Sequence, residues 1–183
     1  MATRRSSSAA KKTELRLAVE KLLEHVERAS RDCTVRETGR RGWGVFASRL
    51  FVSDEVVIHG SPLRIVEAND SHAVQVGRGR FGYEEGIGSF VNHSCDPNCL
   101  VQPSGDARID LVARGTIQAG EEVTLDYATR NYVIEFFPPL CLCGSQRCRG
   151  RVTGWKDLSD AWRENYGDAV APYLLGTEAG AQV

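Results

Sequence analysis

The sequence lacks long hydrophobic runs, and no apolar stretch approaches the roughly 20 residues that a membrane-spanning helix needs. Its first residues, MATRRSSSAAKK, also lack the apolar segment of a secretory signal. We therefore expect a soluble protein of the nucleus or the cytoplasm with no membrane partner. The Arg- and Ser-rich start leaves targeting to an organelle open as an alternative.

The sequence also lacks an excess of charge of either sign. Its 23 Lys and Arg residues against 24 Asp and Glu residues give a formal net charge of −1. Because no stripe of basic and aromatic residues is present either, direct binding of nucleic acid is not expected. The 183 residues, 42% of them hydrophobic and 26% charged, suit one compact domain with an appendage.

Both ends of the chain have little to bury. Residues 1–12 and 177–183 are small and mostly polar, and we predict that they are disordered. Over residues 13–31 apolar side chains recur at steps of three and four, which predicts a helix that packs onto its own domain. Residues 154–176 predict one or two short helices, with Pro172 limiting the last.

Short β-like runs separated by glycines fill residues 32–130. This pattern predicts a mainly β domain that is built from several small sheets. We expect strands near Thr34–Glu37, Gly44–Ser48, Glu55–His59, Ile65–Val66, Ala73–Val76, Arg80–Tyr83, Leu100–Pro103, Ile109–Ala113 and Val123–Leu125.

The six cysteines admit two interpretations. Three disulfides have about 15 possible connectivities, whereas clustered cysteines of a reducing compartment are more often metal ligands. Cys141, Cys143 and Cys148 crowd three thiols into eight residues around Gly144, which is how a zinc knuckle is built. A structural zinc ion needs four ligands, so one more must come from elsewhere in the chain.

The densest group of chemically active side chains is FVNHSCDPNC, residues 90–99. It places an amide, an imidazole and two thiols beside Pro97, which fixes the backbone. A polar turn with a capping amide would explain a lone histidine, but not the whole string. The segment resembles the NHSCxPN signature of SET-domain lysine methyltransferases.

Three further segments resemble the same family and follow its order. They are RGWGVFA at residues 41–47, GEEVTLDY at residues 120–127, and the post-SET spacing Cys141-x-Cys143-x4-Cys148. The resemblance implies a SET domain with a knot-like core over residues 32–130 and a post-SET zinc region over residues 131–153.

The resemblance implies S-adenosylmethionine as methyl donor and a protein lysine, with histone lysine among the candidates, as acceptor. Tyr127 would be the catalytic residue, whose hydroxyl orients the uncharged amine; without the motif it would be read as a core tyrosine. The implied cofactor contacts are Gly42, Trp43, Gly44, Asn92, His93, Tyr127 and Leu142. The implied zinc ligands are Cys95, Cys141, Cys143 and Cys148, with Cys99 the competitor for the place of Cys95.

The sequence departs from the family pattern in two places. Ile58 and Ser61 stand where the family often has the Tyr and Glu of a Tyr-x-Gly-Glu motif, and Leu125 replaces an aromatic residue beside the lysine channel. Both departures favour a roomier and less polar channel that accepts more than one methyl. The alternatives are a catalytically silent SET-fold module that binds a partner, and a zinc-dependent nucleic-acid binder, against which the near-neutral charge argues.

Overall fold

The computed structural model describes residues 31–61, 63–70, 73–105, 108–137 and 140–176. The tails predicted over residues 1–12 and 177–183, and the helix predicted over residues 13–31 apart from Arg31, lie outside the described residues. The strands of the described part are β1 (Cys33–Glu37), β2 (Trp43–Ala47), β3 (Val56–Ile58), β4 (Leu63–Val66), β5 (Val74–Gly77), β6 (Arg80–Glu84), β7 (Asn92–His93), β8 (Cys99–Pro103), β9 (Ile109–Ala113) and β10 (Glu122–Leu125).

The strands form three small sheets. One has the order β1-β2-β10-β7, a second β3-β9-β8 and a third β4-β6-β5. All pairings are antiparallel except that of β7 with β10, which is parallel and places Asn92 beside Thr124 and His93 beside Leu125. The predicted fold class, mainly β with several small sheets, is confirmed.

Alternation of buried and less buried side chains explains why these segments form strands. In β9, Ile109, Leu111 and Ala113 are buried while the residues between them are less so, as expected for a strand with one face on a core. The equivalent faces of β1, β2, β3, β8 and β10 contribute to the same hydrophobic core.

The helices of the described part are short. They are α1 (Asp160–Glu164) and the 3₁₀ helices Gly39–Arg41, Ile87–Phe90, Tyr127–Thr129, Trp155–Asp157 and Pro172–Leu174. None of the helices in the described ranges has the length and apolarity to cross a membrane.

Two details differ from the sequence-based expectation. Strand β7 was not predicted, because two residues are too few to show an alternating pattern. Pro172 begins the last 3₁₀ helix rather than limiting it, because proline is preset for the first position of a helix, where its missing N–H costs nothing.

Candidate active site and cysteine cluster

The turn between β1 and β2 is held in a conformation that requires glycine. Gly42 has φ 75° and ψ −130°, a region that residues with a side chain rarely adopt. The N–H and the hydroxyl of Thr38 donate to the Gly42 carbonyl at 2.7 and 2.8 Å. The backbone of Gly42 and Trp43 is thereby fixed at the edge of a cavity.

Glu122 anchors this turn to the neighbouring strands. Its carboxylate accepts hydrogen bonds from Arg41 at 2.5 Å and from the side-chain amide of Asn92 at 2.9 Å. The same amide nitrogen of Asn92 donates to the Trp43 carbonyl at 2.9 Å. The Asn92 side chain therefore joins the turn to Glu122 of β10.

Gly44 is required by close packing. A Cβ there would lie 2.6 Å from Glu122 Oε1 and 2.8 Å from Asn92 Nδ2. We expect Gly44→Ala to lower the free energy of unfolding by about 1–3 kcal/mol, as overpacked sites do. Urea denaturation checks this against Gly115→Ala, whose Cβ meets nothing within 4 Å. Equal stabilities of the two variants would contradict the packing role.

Tyr127 follows β10 and begins a 3₁₀ turn that Asp126 caps, accepting the Ala128 N–H at 3.1 Å. The Tyr127 hydroxyl donates to the Val91 carbonyl at 2.9 Å. Its ring centroid lies 5.3 Å from those of both His93 and Phe137. Burial raises the pKa of Tyr127 to about 12, so the phenol is uncharged at neutral pH.

His93 lies between the tyrosine and the cysteines. Burial lowers its pKa to about 4, so its 3.6 Å contact with Asp126 is not an ion pair at neutral pH. The Nδ1 atom accepts the Tyr127 N–H at 3.3 Å. The proton of the neutral ring therefore lies on Nε2, which is 3.4 Å from Cys95 Sγ.

The four predicted metal ligands converge. The sulfur atoms of Cys95, Cys141, Cys143 and Cys148 all lie within 4.8 Å of one another, and those of Cys95 and Cys141 are 3.8 Å apart. Four sulfurs at about 2.3 Å from a tetrahedral zinc ion are themselves about 3.8 Å apart. The arrangement therefore fits zinc, and no disulfide joins these residues.

Backbone N–H groups also stabilise negative charge on the cluster. The N–H groups of Arg149 and Gly150 donate to the sulfurs of Cys95 and Cys148 at 3.4 and 3.3 Å. At Cys143, burial opposes ionisation, but hydrogen bonds from neighbouring groups outweigh it and lower the pKa to about 7, whereas burial outweighs them at Cys95 and raises its pKa to about 11. Metal ligation requires thiolates, so these donors suit a metal site.

Cys99, the competing ligand, lies elsewhere. It begins β8 and is wholly buried in the hydrophobic core together with Cys33. Burial raises its pKa to about 12. Among the described residues, the group that could hold a metal does not include it.

A cavity of about 590 Å³ lies beside Tyr127. Four predicted cofactor contacts, Gly42, Trp43, Asn92 and Tyr127, line it. The other three do not. Gly44 packs against Glu122, His93 faces Cys95, and Leu142 is 36% exposed beside the cysteine cluster.

The cavity lining combines apolar side chains with a buried ion pair. Leu111, Leu125 and Phe137 are among the apolar residues. Arg130 and Glu84, which also line the cavity, are joined at 2.7 Å with side chains only 8% and 5% exposed. This pair could not be predicted from the sequence, because its members are 46 residues apart and belong to no motif.

The expected effect of Ile58 on the channel is corrected by the structure. Ile58 is 4% exposed, lies in β3 and packs in the hydrophobic core, and it does not line the cavity. Tyr83 lines the cavity instead, and its hydroxyl donates to Asp70. Of the two departures from the family pattern, only Leu125 affects the cavity.

Comparison with known proteins agrees with this arrangement. Residues 42–128 match the family model described as SET domain. This part of the chain is therefore similar to a SET domain. It is 32% identical over 129 residues to the histone-lysine N-methyltransferase set-2 of Caenorhabditis elegans, covering 60% of the chain and 8% of that protein. It is 31% identical over 135 residues to human histone-lysine N-methyltransferase SETD1B, covering 60% of the chain and 6% of that protein.

Solved structures show the same fold. The methyltransferase domain of human histone-lysine N-methyltransferase SETMAR superposes with a TM-score of 0.53 at 20% identity, covering 67% of this chain and 58% of that one. KRYPTONITE in complex with mCHG DNA and SAH gives a TM-score of 0.54 at 23% identity, covering 66% of this chain and 28% of that one. The match spans less than a tenth of the curated relatives' length.

Proposed function

We propose that this chain is an S-adenosylmethionine-dependent protein-lysine N-methyltransferase. The observation that carries the proposal is that the Gly42–Trp43 turn, Asn92 and Tyr127 line one cavity of about 590 Å³. Its size lies within the range of about 300–1,000 Å³ that small-molecule sites occupy. The names of the curated relatives support the same activity.

The residues of the cavity suit the cofactor. The left-handed Gly42 brings backbone to the cavity edge without a side chain, and Asn92, whose side chain holds this turn, lines the same cavity. Aromatic surface is supplied by Trp43 and Phe137. When bound, S-adenosylmethionine supplies an electrophilic methyl group on a positively charged sulfur.

Tyr127 would orient the acceptor amine. Its only hydroxyl proton is donated to the Val91 carbonyl, so the oxygen presents lone pairs to other groups. These lone pairs can accept a hydrogen from a neutral amine, which leaves the nitrogen lone pair free to attack the methyl carbon. Alignment of the amine with the methyl carbon supplies much of the rate enhancement of such a bimolecular reaction.

The cavity wall would favour the reactive form of the acceptor. A free lysine amine has a pKa of about 10.4 and is mostly protonated at neutral pH. Leu111, Leu125 and Phe137 provide an apolar surface, and desolvation disfavours the charged ammonium. The wall therefore lowers the cost of presenting an uncharged amine to the methyl donor.

The four thiols would hold a structural zinc ion. Because Cys95 comes from the NHSC segment and the other three from residues 141–148, the metal would join the C-terminal region to the cofactor side. The relatives are named histone-lysine methyltransferases, which supports a histone lysine as acceptor and action in the nucleus. That the chain binds no nucleic acid directly stays a prediction.

Incubation of the zinc-loaded protein with methyl-labelled S-adenosylmethionine and either histones or a cell lysate tests the proposal. We expect label in a protein band with the wild type and little with Tyr127→Phe. Cofactor binding measured by calorimetry without any transfer would contradict the proposal and indicate a catalytically silent module.

The aliphatic side chain of Leu125 at the cavity leads to a prediction about product. We expect the wild type to place more than one methyl on a lysine, and Leu125→Phe to shift the product towards monomethyl-lysine by filling that space. Mass spectrometry of a modified peptide measures both. A strictly monomethylated wild-type product would contradict the roomy channel.

A further inference from the structure

The carboxylate of Asp126 is a buried junction directly before Tyr127. It is fully buried, and four donors surround it. Its Oδ1 accepts the Ala128 N–H at 3.1 Å and one guanidinium nitrogen of Arg149 at 2.9 Å. Its Oδ2 accepts the other guanidinium nitrogen of Arg149 at 2.6 Å and the Tyr166 hydroxyl at 2.7 Å.

Arg149 connects this junction to the cysteine cluster. It directly follows Cys148, and its own N–H donates to Cys95 Sγ at 3.4 Å. Its guanidinium lies 5.0 Å from the ring centroid of Trp162. One residue thus contacts the cluster through its backbone and the turn of Tyr127 through its side chain.

Tyr166 connects the junction to the C-terminal segment, residues 154–175, which lies beyond the matched SET domain. Its ring is buried in a cluster with Trp155, Leu158, Val170 and Ala128. The Ala171 N–H also donates to the Thr129 carbonyl at 2.8 Å. The segment therefore packs directly on the 3₁₀ turn that begins at Tyr127.

The buried carboxylate of Asp126 depends on its contacts with both Arg149 and Tyr166. A carboxylate without solvent access is costly unless a counter-charge and hydrogen bonds compensate it. The bidentate contact of Arg149 supplies the counter-charge in a fixed orientation. If the cysteine segment loses its order, Asp126 loses this partner and the cap of the Tyr127 turn is released.

We propose that Arg149 and Tyr166 are positioning residues, which act through Asp126 to make the placement of Tyr127 depend on the ordered cysteine cluster and C-terminal segment. The inference rests on the proposed function only in assigning catalysis to Tyr127. The coupling itself is a property of the fold.

Hydrogen exchange with mass spectrometry tests the coupling without any substrate. In the wild type, removal of zinc by a chelator should speed exchange of amides 126–131 at least about tenfold, while β8 and β9 keep their protection. Arg149→Lys keeps the charge but cannot contact both oxygens. It should bind zinc like the wild type and yet show fast exchange at 126–131 with the metal bound.

Kinetics separate positioning from general stability. With metal bound, Arg149→Lys should lower kcat by about 10- to 100-fold with KM for the acceptor nearly unchanged, since misplacement of a reacting group has effects of this size. Tyr166→Phe, a milder change, should do the same to a smaller extent. Arg151→Lys is the matched control, because Arg151 is exposed and only two residues further along the chain.

Two results would overturn the inference. One is that the zinc-loaded variants Arg149→Lys and Tyr166→Phe show the same hydrogen exchange and the same kcat as the wild type. The other is unchanged exchange at 126–131 when the wild type loses its metal. Failure of the proposed function looks different, because the wild type would then transfer no methyl although the exchange coupling is present.

Discussion

Replacing Tyr127 by phenylalanine is expected to lower kcat about 100-fold, because the positioned hydroxyl that orients the amine is lost. The ring would keep its contacts with His93 and Phe137. The change leaves the Val91 carbonyl without its donor, which costs about 1–3 kcal/mol of stability. Initial rates at saturating substrates, with calorimetry for cofactor affinity, measure the effect.

Tyr132→Phe is the matched control for this experiment. Tyr132 is 49% exposed and does not line the cavity, so its hydroxyl should contribute little to the rate. We expect near wild-type activity from this control and cofactor affinity within a few-fold of wild type from Tyr127→Phe. Comparable rates for the two variants would show that the Tyr127 hydroxyl does not contribute to catalysis.

Metal removal has the second large expected effect. We expect one zinc ion per chain, and we expect a strong chelator that removes it to abolish nearly all methyl transfer. Three of the zinc ligands belong to residues 141–148, and Arg149, the next residue, contacts the Tyr127 turn through Asp126. The β core buries its side chains independently of these thiols. Circular dichroism should therefore retain the β signal when activity is gone.

Cysteine variants assign the ligands. Cys95→Ala should lower the zinc content and the activity, whereas Cys99→Ala should keep both, because Cys99 lies in the core. Elemental analysis of the purified variants gives the zinc content. Full zinc occupancy in Cys95→Ala, or loss of zinc in Cys99→Ala, would contradict the assignment.

The sequence predicted those features that depend on local pattern. Short β-like runs between turn residues predicted strands such as Ile109–Ala113, which the structure contains. The spacing of Cys141, Cys143 and Cys148 indicated a cluster that the structure completes with Cys95. The motif resemblance placed Tyr127 and the Gly42–Trp43 turn, and both line the cavity.

Features that depend on contacts between distant segments could not be predicted. Strand β7 exists because Asn92 and His93 pair with β10, and two residues carry no periodic signal of their own. The orientation of Ile58 depends on which face of β3 packs on the core, which a motif position does not reveal. The Asp126–Arg149 contact joins residues 23 apart in the chain.

If this chain methylates lysine, as we propose, the label must be found on lysine and on no other amino acid. The wild type, loaded with zinc, is incubated with methyl-labelled S-adenosylmethionine and histones, and the products are hydrolysed and separated. We expect label in methylated lysine, and about 100-fold less of it with Tyr127→Phe. Label in another amino acid, or equal labelling by the two proteins, would contradict it.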